Sequence, residues 1–135
     1  MESEDIAIEA VRQALWQIDE TEMEDVSRLR GLGADGLRND EFIEVKHNRR
    51  GLPTSINLDA NEFERARREQ RRFVLAIAYN LDTDLQTKIR FYVDPLDVLP
   101  KLPQTSVSLG GFKSTPTLEV TFASLETNET GQQAD

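Results

Sequence analysis

The chain has 135 residues, enough for one domain, with 25 acidic and 16 basic side chains and a formal net charge of −9. This acidity excludes a protein that coats nucleic acid through a broadly basic surface. Because there is no cysteine and only one histidine, disulfides, thiolate metal sites and sites that need two histidines are excluded. No apolar run reaches the roughly 20 residues that a bilayer crossing needs, and the acidic start differs from a secretory signal. We therefore expect a cytoplasmic protein with no membrane segment.

Charge is spread unevenly along the chain. Residues 1–30 carry nine acids and three bases, and residues 76–135 carry eight acids and four bases. Residues 31–75, by contrast, carry eight acids and nine bases. A locally basic surface can therefore exist in this middle segment of an acidic protein.

The first third of the chain begins with a helical pattern. Apolar side chains recur at i, i+4 spacing over residues 3–18, which predicts an amphipathic helix capped by Ser3. A short strand is predicted at residues 26–29. A turn punctuated by glycine follows at residues 31–36, and the alternating pattern of residues 40–47 then predicts a strand.

The middle of the chain predicts a short strand at residues 55–58 and a second helix directly after it. Asp59 is in place to cap a helix that runs from Ala60 to about Gln70, and Glu62 occupies the third helical position. An acidic residue there completes a capping box, in which two side chains satisfy each other's backbone N–H groups.

The remaining residues predict strands and a tail. The continuous apolar run at residues 73–79 is typical of a strand buried on both faces, and residues 88–93 should pair beside it. Prolines make residues 96–103 a rigid connection. Residues 106–109 and 118–122 resemble the two strands of a terminal hairpin.

This order of elements predicts an α+β fold built around a mixed sheet flanked by helices. We divide the chain into a core at residues 1–103, a C-terminal β-hairpin extension at residues 104–125 and a disordered tail at residues 126–135, which has no apolar content apart from alanine.

Asp35, Glu44 and Lys46 form the most distinctive group of polar residues. Residues two apart on a strand share a face, so Glu44 and Lys46 project together. If residues 39–40 form a two-residue hairpin turn, Asp35 lies directly opposite Glu44. Two carboxylates can share Mg²⁺, while a lysine orients a nucleophile and stabilises developing negative charge on a phosphodiester. The alternative is an exposed ion pair of little consequence.

Several segments of this chain occur in an order that is typical of a known family. They are Gly33-Ala-Asp-Gly36, Phe42-Ile-Glu-Val-Lys46, Ser55-Ile-Asn-Leu-Asp-Ala-Asn-Glu-Phe63 with Ala66, Phe73-Val-Leu-Ala-Ile-Ala-Tyr79 and Asp94-Pro95. Over about residues 5–100 the chain resembles the C-terminal domain type named after the plant protein NO VEIN. That domain is related to Mrr-type restriction endonucleases within the PD-(D/E)xK nuclease superfamily.

The resemblance implies a restriction-endonuclease-like core and a specific set of site residues. It implies that Asp35 and Glu44 bind Mg²⁺ or Mn²⁺ and that Lys46 is the catalytic lysine. The first helix of this superfamily often adds an acidic residue to the same site, for which Glu9 is best placed and Glu4 is the alternative. Domains of this type often occur as modules beside larger proteins of bacterial defence systems.

Arginines form a second group of interest. Arg65, Arg68 and Arg72 lie in a line along one face of the second predicted helix, and Arg49 and Arg50 lie in a nearby loop. Such a row can follow the phosphate backbone of DNA. The alternative is a solvated face on which the arginines pair with glutamates of the same helix.

The sequence thus leaves open three functions. The first is a Mg²⁺-dependent DNA endonuclease domain in a bacterial defence or restriction system. The second is a catalytically silent nuclease-fold module that binds DNA, a partner protein or a second copy through the edge of its hairpin. The third is a purely structural domain of a larger protein.

Overall fold

A mixed β-sheet forms the centre of the molecule. The computed structural model describes residues 2–99, 101–102, 107–110, 112 and 116–121. The elements in chain order are α1 (Ser3–Asp19), β1 (Glu24–Asp25), β2 (Gly36–Arg38), β3 (Glu41–Asn48), β4 (Ser55–Leu58), α2 (Ala60–Glu69), β5 (Phe73–Tyr79), β6 (Lys88–Val93), α3 (Pro95–Val98), β7 (Lys101–Leu102), β8 (Val107–Gly110) and β9 (Leu118–Thr121).

The strands form two sheets. The central sheet has the order β1-β2-β3-β5-β6-β9, in which β3 and β5 are parallel and all other neighbours are antiparallel. The smaller sheet has the order β4-β8-β7 and is antiparallel. The predicted α+β fold with a mixed sheet and flanking helices is confirmed.

Each face of the central sheet packs on its own apolar core. On one face, α1 covers side chains of β3, β5 and β6, including Ile43 and Val45. On the other face, Leu75 and Ile77 of β5 pack with residues of the small sheet and with Phe63 of α2. All seven residues of β5 are buried because both faces are covered, as its continuous apolar run predicts.

Helix α1 matches the predicted span to within one residue, but its cap differs. Ser3 is the first helical residue and not the cap. The N-cap residue is Glu2, which has an extended backbone and makes no side-chain capping hydrogen bond. Glu4 and Asp5 lie in the first turn, where their negative charge is favourable to the helix dipole. Among the described residues, no helix is long and apolar enough to cross a membrane.

The strand predicted at residues 26–29 is wrong. The strand lies just before it, at β1, and pairs with β2. The Asp25 side chain then accepts hydrogen bonds from the backbone and hydroxyl of Ser27, and Leu29 N donates to Val26 O. This local bonding turns the chain away from the sheet, which hydropathy alone does not reveal.

The predicted C-terminal hairpin is also wrong. Strand β8 joins the small sheet between β4 and β7, whereas β9 joins the central sheet beside β6. The two strands therefore do not pair with each other: β8 is the central strand of the small sheet, with Leu109 fully buried, and β9 is an edge strand of the central sheet. The residues after β6 therefore complete both sheets, and the predicted tail at 126–135 lies outside the described residues.

The connection predicted at residues 96–103 contains short regular elements. Pro95 opens the four-residue helix α3, since a proline suits the first turn, where its missing N–H has no intrahelical partner. Strand β7 follows and pairs with β8.

Candidate functional site

The β2–β3 hairpin places Asp35 beside β3. Gly36 pairs with Ile43 and Arg38 with Glu41, so the predicted two-residue turn at 39–40 and its register are confirmed. Asp35 N donates to Ile43 O at 2.9 Å, and Asp35 Oδ2 accepts from Val45 N at 2.8 Å. The side chain of Asp35 thereby continues the ladder beyond the end of β2, next to Glu44.

Glu44 is a buried acid in the middle of the central sheet. It is 3% exposed, and it is the only charged residue in the buried class among the described residues. Burial, followed by the negative charge of Asp35 and Glu62, raises the pKa of Glu44 to about 10, against an opposing contribution from Lys46. Burial, followed by the negative charges of Glu4 and Glu62, also raises the pKa of Asp35, although the hydrogen bond from Val45 N–H opposes the shift. This crowding of acids favours a bound cation or proton.

Lys46 supplies the positive charge between two of these acids. Its Nζ lies 3.3 Å from Glu44 Oε2 and 3.0 Å from Glu62 Oε1. Burial alone would lower the pKa of Lys46, but the charges of Glu44 and Glu62 more than offset it, and the pKa is raised. The ammonium group therefore stays charged at neutral pH and has a defined position.

The predicted capping box of α2 is confirmed. Glu62 N donates to Asp59 Oδ1 at 2.8 Å, and Asp59 N donates to Glu62 Oε1 at 3.1 Å. The contact between Glu62 and Lys46 was not predicted, because the sequence pattern indicates only the capping role of Glu62 and not how α2 packs on β3. Its position in the first turn of α2, directly after β4, brings it over β3.

These side chains line one cleft of about 430 Å³. Its lining includes Glu4, Asp35, Glu44, Lys46 and Glu62, together with residues of the β3–β4 connection and of β4. The preferred acid of α1, Glu9, lies elsewhere, in a depression with Arg12, with which it forms a 2.9 Å ion pair. Five residues rotate a helix by about 140°, so Glu4 and Glu9 cannot share a face, and Glu4 is the one at the cleft.

The protein-family comparison covers this cleft. The family described as "Protein NO VEIN, C-terminal" matches residues 3–92, which are 90 of the 135 residues. The chain belongs to the NO VEIN C-terminal family. The matched span runs from α1 into β6 and contains every charged residue of the cleft described above. No curated protein and no solved structure gives a significant match to the chain.

The acids of this NO VEIN C-terminal domain suit a hard divalent cation. Asp35 and Glu44 offer carboxylate oxygens, which Mg²⁺ and Mn²⁺ prefer. Burial, followed by neighbouring negative charge, raises their pKa values, and a cation between them would stabilise the ionised carboxylates. The described residues contain no cluster of three or more potential ligands spaced to hold a metal. Two carboxylates are nevertheless a usual protein contribution to Mg²⁺, which keeps several waters.

The arginine row of α2 does not form one free surface. Arg65 turns inward, where its Nε donates to Leu32 O at 2.9 Å, its Nη1 lies 3.0 Å from Glu69 and its guanidinium stacks 4.6 Å from the Phe42 ring centroid. Arg72 lies beyond the end of α2, in a 3₁₀ turn at Gln70–Arg72, where it is exposed and pairs with Glu69 at 3.2 Å. Arg68 is exposed and forms no salt bridge within the described part of the chain. The row is thus partly structural, and the alternative of pairing within the helix applies to much of it.

The two loop arginines are also paired. Arg49 Nε lies 2.8 Å from Asp82, and Arg50 Nη1 lies 2.9 Å from Asp82 and 3.1 Å from Asp84. These contacts join the β3–β4 connection to the β5–β6 connection. Both arginines remain more than half exposed, so they can still face a polyanion once these acids are displaced.

Replacing Arg65 tests its structural assignment. We expect Arg65→Ala to lower the free energy of unfolding by about 1–3 kcal/mol, because it removes the Leu32 hydrogen bond, the Glu69 ion pair and the Phe42 contact together. Urea denaturation measures the change. Arg68→Ala, on the same helix but exposed, should stay within about 0.5 kcal/mol of wild type. Equal effects of the two substitutions would refute the assignment.

Proposed function

We propose that this domain is a metal-dependent nuclease that hydrolyses phosphodiester bonds of DNA with Mg²⁺ or Mn²⁺, as its resemblance to Mrr-like PD-(D/E)xK enzymes implies. The supporting observation is the placement of the Lys46 ammonium 3.3 Å from the buried Glu44 carboxylate, in a cleft that Asp35 also lines. A defence or restriction system is the setting that this resemblance implies.

Asp35 and Glu44 would hold the metal ion through their carboxylate oxygens. When bound, the metal supplies a water of lowered pKa and neutralises charge on the phosphate. Lys46 donates hydrogen bonds toward the attacking water and the phosphoryl oxygens, where negative charge develops. Because Lys46 is 24% exposed in its side chain and held between two acids, its ammonium is oriented before the substrate arrives.

Charge explains why DNA would be held locally. The ionised carboxyl groups of the cleft repel a polyanion unless a divalent cation offsets them, and the protein as a whole carries a formal charge of −9. The exposed cations of residues 31–75 include Arg49, Arg50, Arg68 and Arg72, of which Arg68 alone forms no salt bridge among the described residues. Affinity for DNA should therefore be modest and should fall as salt is added.

Cleavage by a lysine variant tests the proposal. With Mg²⁺ or Mn²⁺, we expect the wild type to cut plasmid or linear DNA and chelation by EDTA to stop it. Lys46→Ala should lower the rate by about 100-fold or more, since it removes a preorganised cation from the reacting centre. Gel assays measure the rate, and circular dichroism checks folding. Lys88→Ala, on β6 and away from the cleft, should cleave normally.

A second candidate is a catalytically silent nuclease-fold module that binds DNA, a partner protein or a second copy of this chain. The pairing of Arg49, Arg50, Arg65 and Arg72 with acids favours its protein-binding version, because each pair leaves less positive charge for DNA. A folded wild type that cleaves no DNA with either metal would refute the nuclease. Salt-dependent DNA binding without cleavage would then favour this module.

A further inference from the structure

Glu62 connects the helix terminus of α2 to the lysine of the cleft. Its Oε1 accepts a hydrogen bond from Lys46 Nζ at 3.0 Å and a second one from Asp59 N at 3.1 Å. The same oxygen therefore serves the capping box and holds the ammonium group. With its side chain 17% exposed, Glu62 is largely shielded from water, which strengthens this contact.

Lysine needs such a contact to act at a fixed point. Its ammonium is carried on a flexible stem of four carbons, so holding it in one position costs side-chain entropy. Glu44 alone is a weaker anchor, because its contact with Lys46 Nζ is longer, at 3.3 Å. Glu62 is the closer partner, and its own carboxylate is fixed by a backbone N–H of the helix terminus.

We propose that Glu62 is a positioning residue, which holds the Lys46 ammonium in the orientation that phosphodiester hydrolysis requires. This inference rests on the proposed nuclease function. It assigns to the N-terminus of α2 a part in catalysis in addition to its capping role. It also predicts that the two roles of Glu62 are separable by substitution.

Two substitutions separate positioning from capping. Glu62→Gln keeps a side-chain acceptor for Asp59 N, since glutamine also suits a capping box, but it removes the charge that holds Lys46. Asp59→Ala breaks the cap at Glu62 N while its own backbone N–H still binds the Glu62 carboxylate. Asp59→Ala should therefore lower the stability of the fold, whereas Glu62→Gln should lower the rate of catalysis.

The expected results form a crossed pattern. Glu62→Gln should lower kcat by about 10- to 100-fold with KM within about twofold, because a misplaced group slows the chemical step more than it weakens binding. Its Tm should stay near that of wild type. Asp59→Ala should lower Tm by about 3–6 °C and keep kcat within about twofold. A fall of kcat in Asp59→Ala as large as that in Glu62→Gln would overturn the inference.

A second readout does not depend on cleavage. Acetylation of lysines in the metal-free protein, followed by mass spectrometry, should show Lys46 reacting several-fold faster in Glu62→Gln than in wild type, with Lys88 unchanged. Unchanged Lys46 labelling would overturn the positioning role. A wild type that never cleaves DNA would instead refute the nuclease, and the labelling would still decide whether Glu62 holds Lys46.

The metal requirement gives the last distinction. In Glu62→Gln, the Mg²⁺ concentration for half-maximal activity should stay within about threefold of wild type, because Glu62 contributes only its charge near Asp35 and Glu44 and no ligand atom. A large increase in that concentration would make Glu62 a metal ligand and overturn the positioning assignment.

Discussion

Glu44→Gln is expected to be more stable than wild type above neutral pH and unable to cleave DNA. The folded protein raises the pKa of Glu44 to about 10 from an ordinary value of 4.5, mainly by burial. A carboxyl group with a raised pKa binds its proton more tightly in the folded state than in the unfolded state. Its contribution to stability is therefore complete below about pH 4.5 and is lost as the pH rises toward 10.

Glutamine has nearly the same shape and stays neutral, so it avoids this loss. Between pH 5 and pH 8 we expect the stability of Glu44→Gln relative to wild type to rise by about 2–4 kcal/mol, since each unit of pKa difference corresponds to about 1.4 kcal/mol. Urea denaturation at the two pH values measures it. Glu24→Gln, exposed on β1, is the matched control and should show no such trend.

The same variant should lose its response to metal. We expect millimolar Mg²⁺ to raise the Tm of the wild type at pH 8 by mass action and to leave Glu44→Gln unchanged, with cleavage falling by at least about 100-fold. A variant that is less stable than wild type at pH 8 would contradict the assigned burial cost. One that still responds fully to Mg²⁺ would show that Glu44 is not a ligand.

Gly33→Ala should be the most damaging small substitution in the turn before Asp35. Gly33 has a φ of +82°, and an added Cβ would overlap the backbone carbonyl oxygen of Asn61 and approach Arg65 Cβ to 2.9 Å. Neither backbone can move without shifting α2 relative to the hairpin. We expect Gly33→Ala to lower the free energy of unfolding by about 3 kcal/mol or more, because the left-handed backbone and the steric clash both destabilise the folded state.

Gly31→Ala is the control for this prediction. Gly31 has nearly the same φ, +79°, but nothing lies within 4 Å of an added Cβ. Gly31→Ala should therefore lower the free energy of unfolding by about 1 kcal/mol, which is the cost of the left-handed backbone alone. Thermal denaturation compares the two. Equal losses would mean that the contact between the Gly33 turn and α2 adds no constraint.

Local patterns were sufficient for the parts of the site that are close in sequence. The turn at residues 39–40 predicted the β2–β3 register, which begins next to Asp35, and Asp59 with Glu62 predicted the start of α2. Both depend on bonds between residues a few positions apart, where spacing determines geometry. The long apolar run of β5 likewise predicts burial directly.

Contacts between distant residues were beyond these patterns. The choice between Glu4 and Glu9 depends on which face of α1 meets β3, and the apolar stripe alone does not fix the position of the cleft along that helix. The helical spacing predicts Arg65 as part of an exposed row, because it does not show that the Phe42 ring and the Leu32 carbonyl contact its side chain. Strands β8 and β9 pair with different sheets, and neither sequence segment shows which strand will be its neighbour.

The hydrogen bond from Val45 N to Asp35 Oδ2 has a spectroscopic consequence. A backbone amide in a sheet normally donates to a carbonyl, but here the acceptor is a carboxylate that can change its charge. The amide proton resonance of Val45 should therefore shift when Asp35 gains a proton or a cation. A single backbone signal, far easier to follow than a side-chain carboxyl group, thus reports the occupancy of the cleft by NMR.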